Sequence, residues 1–539
     1  MRPSQRRLWA VLALALLVFG SGLTWGLPHS EDWQSDSLTP YHPLIGLGQL
    51  FSFGYFHKYP LVHQLLLGVL DLPVMIAALV DSMGPNGFSL NELARSLRSP
   101  EYATPLLVIG RVVSVSMAVG TVWLMYLLAR ALAGERTALW AALFTCLNTV
   151  MNQLAPVAKV DVPYVFWAVA ALYLLVRALQ TREPRAHVGC AIAACLSFGT
   201  KDQAYAIFVL PFLAALLLPP LSFDRSKRAF LIAFVAGTVL VENVLLNGSG
   251  LMKRVAHLTG DAGFRSAAYS SDVQGVLAQA VDFDRWLIEA QGGPLIHGLC
   301  ILGIGLTLLD RTLSKRERLL RLLPLLACVS YYLFFVQIVR QVADRFALFP
   351  SVALCFYAGF AVAWLFETAR GLALRSAHIA VAAAVGYGLF ATAQLDLDLL
   401  HDPRYDAERY MTRELRDGAR VEYYGYLHYL PRFPAQAKAY RIKSGALALP
   451  ARAPDYVVLS SLDYARYFGS ATSVSVRGRL SATTRRVRDR ASDFPEFYRR
   501  LFAGELGYTE VARFERRFSS LARHPSVPEV VRIYKRARA

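Results

Sequence analysis

Charge is what this chain has least of. Only 18% of its 539 residues are Asp, Glu, Lys or Arg, 55% are hydrophobic, and the mean hydropathy is +0.36. That balance excludes a soluble enzyme and places the chain among polytopic membrane proteins. Cysteine is scarce as well: the six, at 146, 190, 195, 300, 328 and 355, lie inside or at the edge of apolar stretches, and none follows residue 400. They read as small core residues, with neither a disulfide framework nor a metal site among them. A phosphate-cradling glycine loop, paired metal-ligand spacing and a nucleophile elbow are all missing, so nucleotide-driven transport has no support. Acidic residues are outnumbered, 39 against 57 basic ones, a net of +18. Residues 401–539 hold 27 Lys and Arg against 15 Asp and Glu, so a net of +12 sits in the tail.

What is abundant is apolar sequence. The basic start Met1 to Arg7 precedes Leu8 to Leu27, long enough to cross a hydrocarbon core of about 30 Å, and reads as an uncleaved first helix. Further apolar segments cover roughly 106–131, 137–155, 162–179, 187–200, 203–221, 229–247, 294–309, 319–339, 346–366 and 378–396. One more, Tyr59 to Val80, is ambiguous by hydropathy, and the positive-inside rule arbitrates. If it does not cross, eleven helices result, and the basic loops Arg177/Arg182/Arg185, Arg225/Lys227/Arg228, Arg311/Lys315/Arg316/Arg318/Arg321 and Arg370/Arg375 share the side of the basic N-terminus. Gly68, Asp71 and Pro73 suit an interrupted juxtamembrane helix there. The same parity gathers Glu31, Asp32, Asp36, His57, Lys58, Asp161, Lys201, Asp344, Arg345, the loop 248–292 and the tail on the outer side.

The tail reads as a separate α/β domain, giving a division of 1–400 and 401–539. Asp402 to Leu415 and Phe494 to Phe502 pattern as helices, and Arg420 to Tyr426, Asp455 to Ser460, Tyr508 to Phe514 and Glu529 to Tyr534 as strands. Arg477 to Arg490 reads as a solvated basic loop.

Among the polar residues, the adjacent carboxylates Glu31 and Asp32 stand just past the first helix. They can solvate a loop, or supply a general base in a hydrated cleft. Lys58 can snorkel to the interface or bind a phosphate. Asp161 opens an apolar helix and can serve as its cap and dipole partner. Lys201 and the pair Asp344–Arg345 add charge on the same side, and cations converging on a carboxylate pair are what an anionic leaving group requires. Glu242 and Asn243 fall inside an apolar segment, as a functional or a hydrogen-bonded structural pair. Asn247-Gly248-Ser249 matches a glycosylation sequon, a pattern short enough to arise by chance.

In His29-Ser30-Glu31-Asp32, Lys58-Tyr59-Pro60-Leu61, Arg111-Val112-Val113-Ser114 through Tyr126-Leu127-Leu128-Ala129-Arg130, Asp161-Val162-Pro163, Lys201 and Arg345-Phe346-Ala347-Leu348-Phe349-Pro350, the chain resembles the GT-C superfamily of membrane glycosyltransferases. The likeness is to its protein O-mannosyltransferase and aminoarabinose transferase group, of the glycosyltransferase family 39/83 type, over residues 8–400. The resemblance implies a polytopic α-helical GT-C fold of about eleven transmembrane helices with outer juxtamembrane helices. It implies transfer from a polyprenyl-phosphate sugar to a hydroxyl acceptor, with inversion, at the periplasmic face of a bacterial inner membrane. Glu31 aligns with the family's catalytic Asp, so the chain has the acidic pair Glu31 and Asp32 in reversed order, which leaves either as the catalytic base, with Glu31 preferred. Lys58, Lys201 and Arg345 would hold the donor phosphate, Asp161 would position the acceptor or a basic partner, and His29 would position the acceptor. Leu61 replaces the family's second proline. No metal or other cofactor and no nucleic-acid partner is expected; the partners are membrane lipids, the lipid-linked sugar and a lipid, glycan or protein acceptor. A transporter or lipid flippase is the rival reading, and it would place polar residues near mid-membrane in two repeated halves.

Overall fold

The computed structural model describes residues 3–28, 32–34, 37–38, 59–84, 87–221, 226–260, 267–468, 493–518 and 522–537. The chain forms two compact units, Met1–Leu23 with Leu38–Ala393, and Thr24–Ser37 with Gln394–Ala539.

The first unit is helical. Its first helix is Pro3–Gly20, which takes Arg6 and Arg7 into its opening turns and ends earlier than the hydropathy suggests. Gly20 and Gly22 lower helix propensity there, and residues 21–26 are turns. Among the described residues five helices are long and apolar enough to cross a bilayer: Pro100–Ala133, Asp161–Thr181, Lys315–Val339, Asp344–Thr368 and Gly371–Glu414, the last of which carries the chain into the second unit. Three bent pairs raise the number to eight if each is one span. One of those pairs is the Tyr59–Val80 stretch, which is not among the eleven expected spans, so length and composition support five to seven of the eleven, and the other apolar segments fold as shorter helices. The stretch from Tyr59 is interrupted as its Asp71 and Pro73 predict: Val62–Leu70 and Leu72–Asp81 meet at 62°.

Asp344–Thr368 is the central helix, with every residue from Phe346 to Gly359 buried. Lipid gives apolar helices no hydrophobic reason to associate, so close packing of small residues must do it. Gly359 supplies that contact: a Cβ there would lie 2.6 Å from Thr137 O and Ala141 N of the helix Glu135–Cys146. By contrast Lys227–Val241 and Gly371–Leu400 present exposed Ile232, Leu240, Leu372 and Ile379, a surface suited to hydrocarbon. The basic loops meet in pairs. Arg316 donates to Leu179 O beside Arg177 and Arg182, and Arg136 pairs with Glu367 at 3.0 Å beside Arg370.

The second unit is a five-stranded sheet, β1 (Arg420–Tyr424), β2 (Lys438–Ile442), β3 (Tyr456–Ser460), β4 (Tyr508–Glu515) and β5 (Val530–Arg536), in the order β2-β1-β3-β5-β4. The first three are parallel and the last two antiparallel. Period-2 alternation sorts the core onto two faces. Val421, Tyr423 and Val458 pack with Ala407 and Met411 of the helix Pro403–Glu414, while Tyr424, Val457 and Leu459 pack with Phe497, Tyr498 and Leu501 of the helix Phe494–Phe502. The expected helices and four of the strands are present. β2 was not expected, because Lys-Ala-Tyr-Arg-Ile lies half in solvent at the sheet edge and lacks an apolar alternation.

Thr24–Ser37 belongs to this unit through specific bonds. Trp25 Nε1 donates to Asp402 Oδ2 at 2.9 Å, Tyr405 Oη accepts from Gly26 N at 2.7 Å, and Arg432 Nη1 donates to Pro28 O at 2.9 Å. At the centre Arg404, fully buried, forks onto Asp402 with Nη2···Oδ2 2.6 Å and Nε···Oδ1 3.0 Å. Its guanidinium lies 4.0 Å from the Trp33 ring centroid and 5.3 Å from that of Trp25. Lysine cannot reproduce the fork or the stacking. Arg404→Lys is therefore expected to lower stability by about 2 kcal/mol, in line with the loss of a charge-assisted bond, read as a reduced thermal midpoint of the full chain in detergent.

Candidate active site

The helix Asp161–Thr181 begins at Asp161, and Lys201 follows the helix Pro184–Phe198 after a short turn. These two helices run side by side, which brings the start of one beside the end of the other. Lys201 Nζ donates to Asp161 Oδ1 at 2.6 Å, and both side chains are buried. Asp161 therefore serves as the partner of a buried ammonium, and Lys201 is its hydrogen-bond partner among the described residues. The ammonium also lies 5.5 Å from the centroid of the Tyr164 ring one turn along.

Two more cations act on the same carboxylate, Arg345 at the start of the central helix and Lys159 two residues before Asp161. Among the described residues three cations thus act on Asp161, and they repel one another: both Arg345 and Lys159 also act on Lys201, while Asp202 attracts it. Arg345 N bonds Asp344 Oδ1 at 2.8 Å, and its guanidinium leans over Phe346 at 5.7 Å. Gln203, just past Lys201, donates to Tyr331 Oη at 2.8 Å and so ties the Lys201 turn to the helix Lys315–Tyr331.

The stretch from Tyr59 onward packs beside this place. Tyr59 packs on a small cluster containing Val160, Leu67 and Leu38. Val62 N donates to Gly199 O at 3.0 Å, and Leu38 N to Ala158 O at 2.8 Å. Gly199 is required for that approach, since a Cβ there would lie 2.7 Å from Val62 Cγ2 and 2.6 Å from Val241 Cβ. Lys58 itself, with His29, Glu31, Asp36 and His57, lies outside the described residues.

Asp32 is described, in the second unit. It is buried, with Oδ1 accepting from Gln34 N at 3.2 Å and Oδ2 from Ser37 Oγ at 2.9 Å. The first unit thus brings together Asp161, Lys201 and Arg345 of the expected site residues. It adds Lys159, whose position two residues before Asp161 was a usable signal.

The polar pair at Glu242 and Asn243 has a partner that sequence missed. Glu242 ends Lys227–Val241 at a 74° bend, where Asn243 has φ of 55°. Arg254, on the following helix Val244–Thr259, pairs with Glu242 and with Asp202 at 3.3 Å. A buried cation between two acids explains how carboxylates are kept inside an apolar segment. Sequence placed Arg254 in a loop, and an apolar face interrupted by Asn247 and Gly248 hid its helix. Asn247 of the sequon is 2% exposed and accepts from Gly250 N at 3.1 Å, so glycan attachment there is closed off.

The family model described as dolichyl-phosphate-mannose-protein mannosyltransferase matches residues 107–245. No curated protein matches the chain. Among solved structures, the oligosaccharyltransferase of Archaeoglobus fulgidus is 14% identical, with 87% of this chain and 70% of that chain covered and a TM-score of 0.46. ArnT from Cupriavidus metallidurans is 15% identical, with 87% and 94% covered and a TM-score of 0.46. The arabinofuranosyltransferase AftD from mycobacteria is 15% identical at a TM-score of 0.43; the match covers 99% of this chain and 42% of AftD. The resemblance carried by the motifs, to membrane glycosyltransferases of the GT-C superfamily, is thus met by a family model across a segment that holds Arg111, Arg130, Asp161 and Lys201.

Proposed function

We propose that this chain is a multi-pass membrane glycosyltransferase that moves a sugar from a polyprenyl-phosphate donor to a hydroxyl acceptor, with inversion, at the periplasmic face of a bacterial inner membrane. The observation that carries the reading is the convergence of Lys159, Lys201 and Arg345 on the single carboxylate of Asp161. Charge grows on the phosphate oxygen as the sugar leaves, and preorganised cations lower the barrier because they are in place before that charge appears.

In this scheme the acceptor oxygen attacks the anomeric carbon and the bond from that carbon to the phosphate oxygen breaks. The hydroxyl proton passes to Glu31, and the lipid phosphate departs with the bonding pair. Lys58, Lys201 and Arg345 hold the departing phosphate, and Lys159 adds to their field. Asp161 aims Lys201 by its 2.6 Å bond, so its effect on the acceptor runs through the geometry of that pair. His29 orients the acceptor, Asp32 shapes the Glu31 loop, and the tail controls access of a lipid, glycan or protein acceptor.

A transporter or flippase would use polar groups partway along its helices. The cluster of Asp161, Lys201 and Arg345 instead lies at helix termini. The test is release of polyprenyl phosphate from a panel of polyprenyl-phosphate sugars by the purified full chain. Turnover that falls in Arg345→Gln with a raised donor KM is the expected result. A chain that binds lipid phosphate yet releases none with any donor would falsify the transferase and favour the flippase.

A further inference from the structure

A cavity of about 280 Å³ opens between the helices Pro100–Ala133 and Asp161–Thr181, lined by Leu127, Arg130, Ala131, Tyr173 and Arg177. Two guanidiniums and a phenol face it, and among the described residues no carboxylate lines it. Arg177 is 16 residues beyond Asp161 on the same helix, about 24 Å away at 1.5 Å per residue, so this place is separate from the proposed transfer site.

The local chemistry engages Arg130 only in part. Arg130 lies over the Tyr126 ring at 5.4 Å and hydrogen-bonds the Tyr126 hydroxyl, which donates to Glu135 Oε1 at 2.6 Å. Neither Arg130 nor Arg177 forms an ion pair among the described residues. Gln180 Nε2, bonded to Ala131 O at 2.7 Å, fastens the two helices together beside the cavity. Two cations held close on facing helices repel each other, and folding tolerates that cost best when an anion sits between them. The basic loops at Arg136, Arg182, Arg185 and Arg316 surround the same end, with a field of the same sign.

We propose that this cavity binds a phosphate group, in the form of the head group of an anionic phospholipid. Guanidinium forks match phosphate oxygens in pairs, and the Tyr173 hydroxyl adds a third kind of donor. The volume lies just below the roughly 300 Å³ at which drug-sized pockets begin, so it suits a head group and leaves the acyl chains along the helices. Basic pockets between membrane helices are recurrent sites for such head groups. Arg130 closes the motif that begins at Arg111, and the transfer reaction gives it no task.

The experiment reconstitutes the full chain in phosphatidylglycerol vesicles, extracts it into detergent and counts retained lipid by native mass spectrometry. The variants are Arg130→Gln/Arg177→Gln and, as a control with the same charge removed from exposed positions at the same end, Arg185→Gln/Arg311→Gln. Each basic group near anionic lipid contributes about fivefold in affinity, so the first pair is expected to lower retention roughly 25-fold and the control far less. Arg130→Lys/Arg177→Lys, which keeps charge without the fork, should fall between. Equal retention in wild type and Arg130→Gln/Arg177→Gln, or equal loss in the control, overturns the proposal. A parallel arm adds inorganic phosphate to the lipid-loaded protein and, separately, to delipidated protein. Displacement of phosphatidylglycerol by phosphate supports one shared phosphate site, whereas thermal protection by phosphate with no lipid retained overturns the lipid source.

Discussion

Asp161→Ala is expected to destabilise the chain by about 3–5 kcal/mol, the usual loss when one partner of a buried ion pair is removed. The reason lies in what stays behind. Lys201 is 8% exposed, and without the carboxylate its ammonium is left with Arg345, Lys159, the Tyr164 ring and Asp202, which is itself paired with Arg254. Asp161→Ala/Lys201→Ala removes the stranded charge and should unfold at a higher midpoint than Asp161→Ala alone. The difference between single and double variants, read by thermal unfolding in detergent, isolates the coupling of the pair. Turnover separates the two roles further, because the double variant restores stability and still lacks the ammonium that would meet the leaving phosphate. A double variant no more stable than Asp161→Ala would mean that the pair is not what holds this end of the unit together.

Much of this site was readable in advance, for a physical reason. Asp161 and Lys201 are charges at the ends of apolar runs, and a charge at such a boundary stands out because so few are tolerated nearby. Arg345 opens the central helix in the same way. The helix Phe494–Phe502 and the strands β1, β3, β4 and β5 were likewise visible as period-3.6 and period-2 patterns. What sequence could not show was contact over distance. Trp25 meets Asp402 across 377 residues, and nothing in the composition of Thr24–Ser37 says that it belongs to the second unit. Arg254 was hidden for a different reason: its helix follows a 74° bend and carries a non-helical Asn247, so hydropathy broke off before reaching it. The edge strand β2 escaped because an edge position need not bury alternate residues.

Asp32 is the place where structure bears on a choice that sequence left open. Both of its oxygens are engaged by its own loop, through the backbone of Gln34 and the hydroxyl of Ser37. A carboxylate occupied in holding a turn is poorly placed to take a proton from an acceptor, which supports the proposal of its neighbour Glu31 as the base. Glu31→Gln is therefore expected to lower kcat by about 10²–10⁴-fold, the range for loss of a general base, with donor KM and the thermal midpoint unchanged. Asp32→Asn should behave oppositely. It keeps one acceptor oxygen but places an amide where the Ser37 hydroxyl or Gln34 N–H donates, at a cost of about 1–3 kcal/mol for an ill-matched buried group. Its loss of turnover should be smaller than that of Glu31→Gln and should track the fraction unfolded. The decisive comparison is polyprenyl phosphate release by the two variants at a temperature where both are folded. If Asp32→Asn is the inactive one, Asp32 accepts the proton and the loop bonds of Asp32 must open during transfer; if Glu31→Gln is the inactive one, Glu31 is the base and Asp32 sets its aim.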